Sequence, residues 1–396
     1  MTPPTIPNRS LSRMFQHFFA STKAGGIVLI ACTLASLALA NSAAGAGYIG
    51  LWHHALGGLT VELWINDALM AIFFLMIGLE LKREIVNGEL SDFRNALLPI
   101  VAALGGICLP ALLHFIFNAG TPTQAGMGIP MATDIAFALG VLALVGSRVP
   151  ASLKIFLTAL AVIDDLCAIV VIALFYTASL HVGYLLGALA IFGALMCLNR
   201  VARVMRLLPY LIGGALMWVC MLKSGIHATI AGVLLAFAIP CGVRQQLQDD
   251  SASPAHRLEH FLHMPTTFVI LPLFALANTG MVIGAGWAAG LLAPNSLGIL
   301  TGLVIGKPVG ILLFSVIAVA AGICKLPSDL AWRHVLGGGL LGGIGFTMSI
   351  FITNLAFPGD GAVITASKIA ILIGSLGAGI LGFLFLRYAP RGREAA

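Results

Sequence analysis

Charge is what this chain lacks. Of its 396 residues only 9% are Asp, Glu, Lys or Arg, while 59% are hydrophobic. A globular domain carries about 25% charged residues. So few could not cover a water-facing surface, which excludes a soluble enzyme or binding domain, and the apolar content excludes disorder. Cysteine is sparse and unpatterned. The seven (Cys32, Cys108, Cys167, Cys197, Cys220, Cys241 and Cys324) form no C-x-x-C pair and mostly lie inside apolar runs. They read as small buried hydrophobes, not as a disulfide, redox or metal framework. The net charge of +6 is spread over short segments instead of one basic element, so no nucleic-acid partner is expected.

Apolar length is what the chain has. A helix needs roughly 20 residues to cross a bilayer. Apolar runs fall near 24–40, 63–81, 97–117, 125–146, 152–176, 182–198, 208–221, 226–240, 266–284, 297–321, 334–356 and 364–386, the seventh being short. They predict an all-α polytopic membrane protein of about 12 transmembrane helices, with 1–396 as a single transmembrane unit embedded in the lipid bilayer. The first run follows Arg9, Arg13 and Lys23 and precedes Ala-Leu-Ala-Asn-Ser-Ala-Ala, as a signal peptide would. It is longer than a usual signal core, and its loss would leave an odd count, so it is read as an uncleaved helix. With both termini inside, the ends and five inner loops hold 18 of the 21 Lys and Arg residues. That bias is the positive-inside pattern and places both termini in the cytoplasm.

Two runs make poor continuous helices. The fourth carries Gly126, Gly128, Pro130 and Asp134 near mid-membrane, and the eleventh carries Gly337, Gly338, Gly339, Gly342, Gly343 and Gly345. Glycine at that density weakens a helix. The two runs are seven apart in order and so cross in opposite directions. The pattern predicts inverted-topology repeats, about 97–177 and 297–387, each with one discontinuous helix, an arrangement that places a transport site at the midplane.

Charges interrupt the apolar runs at Asp134, Asp164, Asp165 and Lys307. Each costs at least ~2.5 kcal/mol to insert, too much for decoration. Adjacent helical residues point about 100° apart, so Asp164 and Asp165 can share a cavity. Like charges in a dry site cannot both ionise freely, and the pair titrates as a unit. It can hold a proton or a small hard cation, which prefers oxygen ligands. Mutual exclusion of the two is the core of an exchanger. Lys307 suits either a counter-ion or a second proton carrier, and Asp134 suits the start of a half-helix.

At these residues the chain resembles the NhaA family of bacterial sodium/proton antiporters. The resemblance runs in order through Leu63–Met70, Gly78–Glu84, Ala132–Gly140, Ala161–Leu166, Lys223–Thr229, Arg257–His260, Gly306–Pro308 and Gly345–Ser349. The family is itself a standing example of the inverted-repeat rule. The resemblance implies electrogenic exchange at the bacterial inner membrane, with protons entering, more than one per cation, as sodium or lithium leaves. It implies that Asp164 and Asp165 hold sodium and protons with Thr133 nearby. Asp134 and Lys307 would balance half-helix dipoles, with Gly345 in the second broken helix. Activity would rise towards alkaline pH through a cytoplasmic cluster matching Glu80, Arg83, Glu84, Arg257, Glu259, His260 and His263, with His227 also implicated. Well-characterised members pair through a β-hairpin in the first outer loop. Here the connection from Asn41 to Glu62 leaves little room for one, so the resemblance leaves a homodimer open while putting its contact through such a hairpin in doubt. The family also commonly has Gly where this chain has Cys167.

Other readings fit less well. His256-Arg257-Leu258-Glu259-His260 matches a zinc-protease pattern, but no soluble catalytic domain accompanies it. An intramembrane aspartyl protease should bring its carboxylates from separate helices. The chain is therefore not expected to be an enzyme or to need a cofactor. The nearest rival is a sodium-coupled symporter of an organic solute, whose sodium flux should depend on that solute.

Overall fold

The computed structural model describes residues 9–176, 180–241, 253–284 and 286–388. Arg244, Arg391 and Arg393, part of the charge bias, lie outside them. Nearly everything described is helix, as hydrocarbon demands, since a helix satisfies its backbone groups within one segment. Among the described residues eight helices are long and apolar enough to cross a membrane: Val61–Val86, Ala96–Asn118, Ala151–Phe175, Val182–Arg200, Leu207–Ser224, Pro254–Thr279, Pro294–Ala320 and Gly361–Tyr388. Three helix pairs qualify only together, each bent at a short break. They are Ala24–Ala40 with Gly45–Trp52 (119°), Pro122–Met131 with Ile135–Val145 (41°), and Trp332–Gly342 with Phe346–Ala356 (48°). The chain is a multi-pass membrane protein.

Three details differ from the sequence reading. The run at 226–240 yields only Ile230–Ala238, nine residues, about 14 Å and too short to cross. Pro240 forces Ile239 out of helical backbone, with ψ 135°. The helix expected at 266–284 starts earlier, at Pro254, because the Ser253 hydroxyl accepts from His256 N–H at 3.2 Å and proline suits a first turn. It stops at Thr279. Its charged opening hides it from an apolar-run search. A hairpin also forms where little room was expected: Ala55–Leu56 pairs with Leu59–Thr60. Gly57 and Gly58, at φ +62° and +91°, make the two-residue turn that such pairing favours.

Burial sorts the helices. Over its most apolar stretch Ala151–Phe175 is 67% buried, whereas Val182–Arg200 is 11% buried and presents leucines outward. The helix with the two aspartates is thus central. The helix Arg9–Ala40 is tied to Pro254–Thr279 by Ser36 Oγ donating to the Leu276 carbonyl at 2.8 Å. Beyond its end, Asn41 Nδ2 donates to the Met281 carbonyl at 2.9 Å. The second and third bent pairs meet at their breaks, where Asp134 N–H donates to the Ile344 carbonyl at 2.6 Å.

Candidate functional site

Each break in these two bent pairs exposes helix ends, which carry partial charge and unmet backbone groups. The side chains around them answer both. One Asp134 oxygen accepts from Phe137 N–H at 3.0 Å, capping Ile135–Val145. The other accepts from Thr347 N–H at 3.2 Å and from the Thr347 hydroxyl at 2.5 Å, at the start of Phe346–Ala356. A single carboxylate therefore serves two positive helix ends. At the negative ends, Lys307 Nζ donates to the Met131 carbonyl, and Thr133 Oγ1 lies 3.0 Å from the Gly342 carbonyl.

The dyad lies against this crossing. Lys307 is fully buried and sits 2.8 Å from Asp164 Oδ2. Thr133 Oγ1 is 2.6 Å from the same oxygen; with one proton to give, it donates to the carboxylate or to Gly342, not both. Lys307 follows directly on a π turn, Gly302–Gly306, a distortion common at functional sites. Asp164 Oδ1 and both oxygens of Asp165 are buried without a hydrogen-bond partner. Buried carboxylate oxygens without donors are costly. Either a proton or a small cation would satisfy them.

Gly345 lets the two breaks close on one another. A Cβ there would run into Ser349 Oγ and come within 3.0 Å of Leu303 Cδ2 and 3.2 Å of the Ala132 carbonyl. Gly345→Ala is therefore expected to cost about 1–3 kcal/mol by overpacking and to reduce transport. A thermal melt in detergent that matched wild type would show that the crossing yields without strain.

A second group lies where Val61–Val86 ends and Pro254–Thr279 begins. Arg83 contacts Glu84 at 2.8 Å, Glu259 at 3.0 Å and Glu80 at 3.9 Å. Arg257 and His260, on the same helix as Glu259, are exposed, and His263 is half-buried. His227 is elsewhere: its Nε2 lies 2.9 Å from the carbonyl of Tyr176, just beyond the far end of the dyad helix. The structure thus joins four residues of the expected cluster and separates His227 from them.

Sequence reasoning missed Thr347 and Lys82. Threonine is unremarkable in an apolar run, and nothing local ties it to Asp134. Lys82 Nζ donates to the Phe237 carbonyl at 2.8 Å and the Ile239 carbonyl at 2.5 Å. It neutralises the negative end of the short helix Ile230–Ala238, which no sequence pattern announces.

Comparison with known proteins agrees with this architecture. The family model described as Na+/H+ antiporter 1 matches residues 16–386. The Na(+)/H(+) antiporter NhaA of Dechloromonas aromatica is 67% identical, covering 96% of this chain and 96% of that protein. The Na(+)/H(+) antiporter NhaA of Cytophaga hutchinsonii and the Na(+)/H(+) antiporter NhaA 1 of Flavobacterium johnsoniae are 56% and 58% identical, covering 95% and 96% of this chain and 96% and 97% of their own. Among solved structures, the sodium proton antiporter MjNhaP1 from Methanocaldococcus jannaschii superposes with a TM-score of 0.53 at 14% identity. The match covers 96% of this chain and 99% of that one; at that identity it speaks to the fold alone. On the family match and the identity to these relatives, the chain belongs to the NhaA family of Na+/H+ antiporters.

Proposed function

We propose that this protein exchanges sodium or lithium for protons across the bacterial inner membrane, extruding cytoplasmic sodium as protons enter. Exchange turns on Asp164 and Asp165. The observation that carries this reading is their three buried, unpartnered carboxylate oxygens beside a buried ammonium. Such a site must take a positive charge or a proton, and the two exclude each other. For a cation to reach Asp164 Oδ2, Lys307 has to move off or give up its proton, while Thr133 Oγ1 and the Gly342 carbonyl add neutral oxygens. Replacing more than one proton by one sodium changes the charge of the loaded site, so transport is electrogenic.

The bent pairs act as two discontinuous helices in inverted repeats, about 97–177 and 297–387, within a frame of 12 spans. The segment 226–240 fills the eighth place, its short helix Ile230–Ala238 continued at both ends by non-helical backbone. Both termini lie in the cytoplasm. Alternating access then moves the crossing relative to its neighbours, as is usual for sites built on broken helices, in this family among others. The Arg83 group, at the cytoplasmic end, supports activation towards alkaline pH. No cofactor is needed. The hairpin offers two residues a strand, too little edge to join a homodimer by itself.

The test uses inside-out vesicles from cells lacking their own antiporters, with a fluorescent probe of the proton gradient. Sodium and lithium, but not potassium, are expected to collapse the gradient, and more so at alkaline pH. If neither ion moves it while the protein is folded and inserted, exchange is refuted. Sodium uptake that needs an added solute would point to the symporter instead.

A further inference from the structure

A cluster of three asparagine carboxamides lies away from the dyad. Asn66 and Asn278 bond reciprocally: Asn278 Nδ2 donates to Asn66 Oδ1 at 2.8 Å, and Asn66 Nδ2 donates back to Asn278 Oδ1 at 3.2 Å. The second proton of Asn278 Nδ2 goes to the Phe274 carbonyl at 2.9 Å. Asn354 Nδ2 completes the set, donating to Asn278 Oδ1 at 2.6 Å. Asn278, 1% exposed, thus has both protons and both lone pairs engaged, which fixes the orientation of its amide.

The three residues come from different elements. Asn66 and Asn278 belong to Val61–Val86 and Pro254–Thr279, two unbroken spans that each carry a π turn, at Trp64–Leu69 and Thr266–Ile270, and that are also joined at their other end by Arg83 and Glu259. Asn354 belongs to Phe346–Ala356, the half-helix whose start is held by Asp134. Two bonds therefore hold the scaffold helices together, and one bond hangs the half-helix on them. Phe351, a turn earlier, fits between Phe74 and Phe274 of the same two helices, with ring centroids 5.6 and 6.3 Å away. Glu259 and Asn278 are separated by about 28 Å of helix, so the amides lie at the end opposite the Arg83 group. Thr347 is only about 10 Å along the half-helix from Asn354.

We propose that Asn354 is a positioning residue of transport. Its single bond to the Asn66–Asn278 pair latches the half-helix to the scaffold and keeps the dyad closed to the outer end. This rests on the exchange reading above. Access from outside requires the half-helix to leave, and that bond and the Phe351 contact are what must part. A one-bond contact beside a two-bond contact breaks where it is weaker, so the scaffold pair stays whole while Asn354 lets go.

The test pairs Asn278→Cys with Asn354→Cys in a chain whose seven native cysteines are replaced by alanine. Reduced protein is expected to exchange sodium for protons. Oxidation to the disulfide should cut exchange at least ten-fold, and reductant should restore it. Undiminished exchange by fully linked protein would overturn the latch, and so would failure of the folded pair to link. Asn354→Ala alone populates the outward state, and a partly populated competent state weakens apparent binding in proportion. It is expected to raise KM for sodium on the cytoplasmic side about five-fold, with maximal rate within about two-fold of wild type, while Asn354→Ser, which keeps a donor, stays near wild type. Equal losses in rate and affinity would mark a structural role and overturn the proposal. Wild-type vesicles run alongside separate the two readings: if they show no exchange, it is the function and not the latch that has failed first.

Discussion

Asp165→Asn is expected to abolish sodium-driven proton movement, by at least about 100-fold, and to leave the protein as resistant to unfolding as before or more so. Both Asp165 oxygens are buried and unpartnered, a condition that costs about 1–3 kcal/mol or more for a group that can carry charge. Asparagine keeps the shape and removes the ionisable group, so the folded state loses nothing it relied on. Transport loses the only group in the dyad not already bonded to Lys307 or Thr133. Asp164→Asn should behave differently. It too stops exchange, but it takes the partner from a buried ammonium at 2.8 Å and so lowers the melting temperature. Proton-gradient assays and thermal melts on the two variants check this directly. Equal stability losses from both would mean that Asp165 is a bonded structural group, and the site would have to be redrawn.

Lys307→Ala is expected to be the most destabilising single change in the site. Removing one member of a buried pair strands the other, at about 3–5 kcal/mol. Here it also strips the Met131 carbonyl, at the negative end of Pro122–Met131, of its ammonium. Adding Asp164→Asn to Lys307→Ala should recover about 2–3 kcal/mol, because no uncompensated carboxylate then remains on Asp164. Transport stays absent in the double variant. Denaturation in detergent at alkaline pH, run on both singles and the double, closes the cycle. A cost below about 1 kcal/mol for Lys307→Ala would show that the pair contributes nothing to the fold. Full recovery of exchange in the double variant would show that neither group takes part.

Much of the frame is legible in the residues. Apolar runs mark the spans because burial in hydrocarbon is a property each segment satisfies alone. Asp134, Asp164, Asp165 and Lys307 stand out for the same reason, since a charge in such a run is expensive wherever its partner lies. Errors fall where local pattern and tertiary role part company. Ile230–Ala238 sits in a run long enough to suggest a span, yet Pro240 cuts the helix short and Lys82 holds its end. The helix from Pro254 is obscured because Arg257 and Glu259 break its apolar pattern, although Glu259 is half-buried against Arg83. Gly57-Gly58 is a hairpin turn signal in itself, lost in a connection that is otherwise small and apolar.

By itself the sequence determined that this is a membrane protein of many helices with a carboxylate pair and a lysine inside it, because partition between water and lipid is decided residue by residue. Only the tertiary structure decided which of those groups satisfy one another. Asp134 caps two helix starts at once, Lys307 binds Asp164 and the Met131 carbonyl, and Asp165 is left with none. Nor does the order of residues reveal that Asn66, Asn278 and Asn354 converge. Hydrogen bonds and ion pairs depend on distances of about 3 Å between residues far apart in the chain, and those distances are set by how the helices pack.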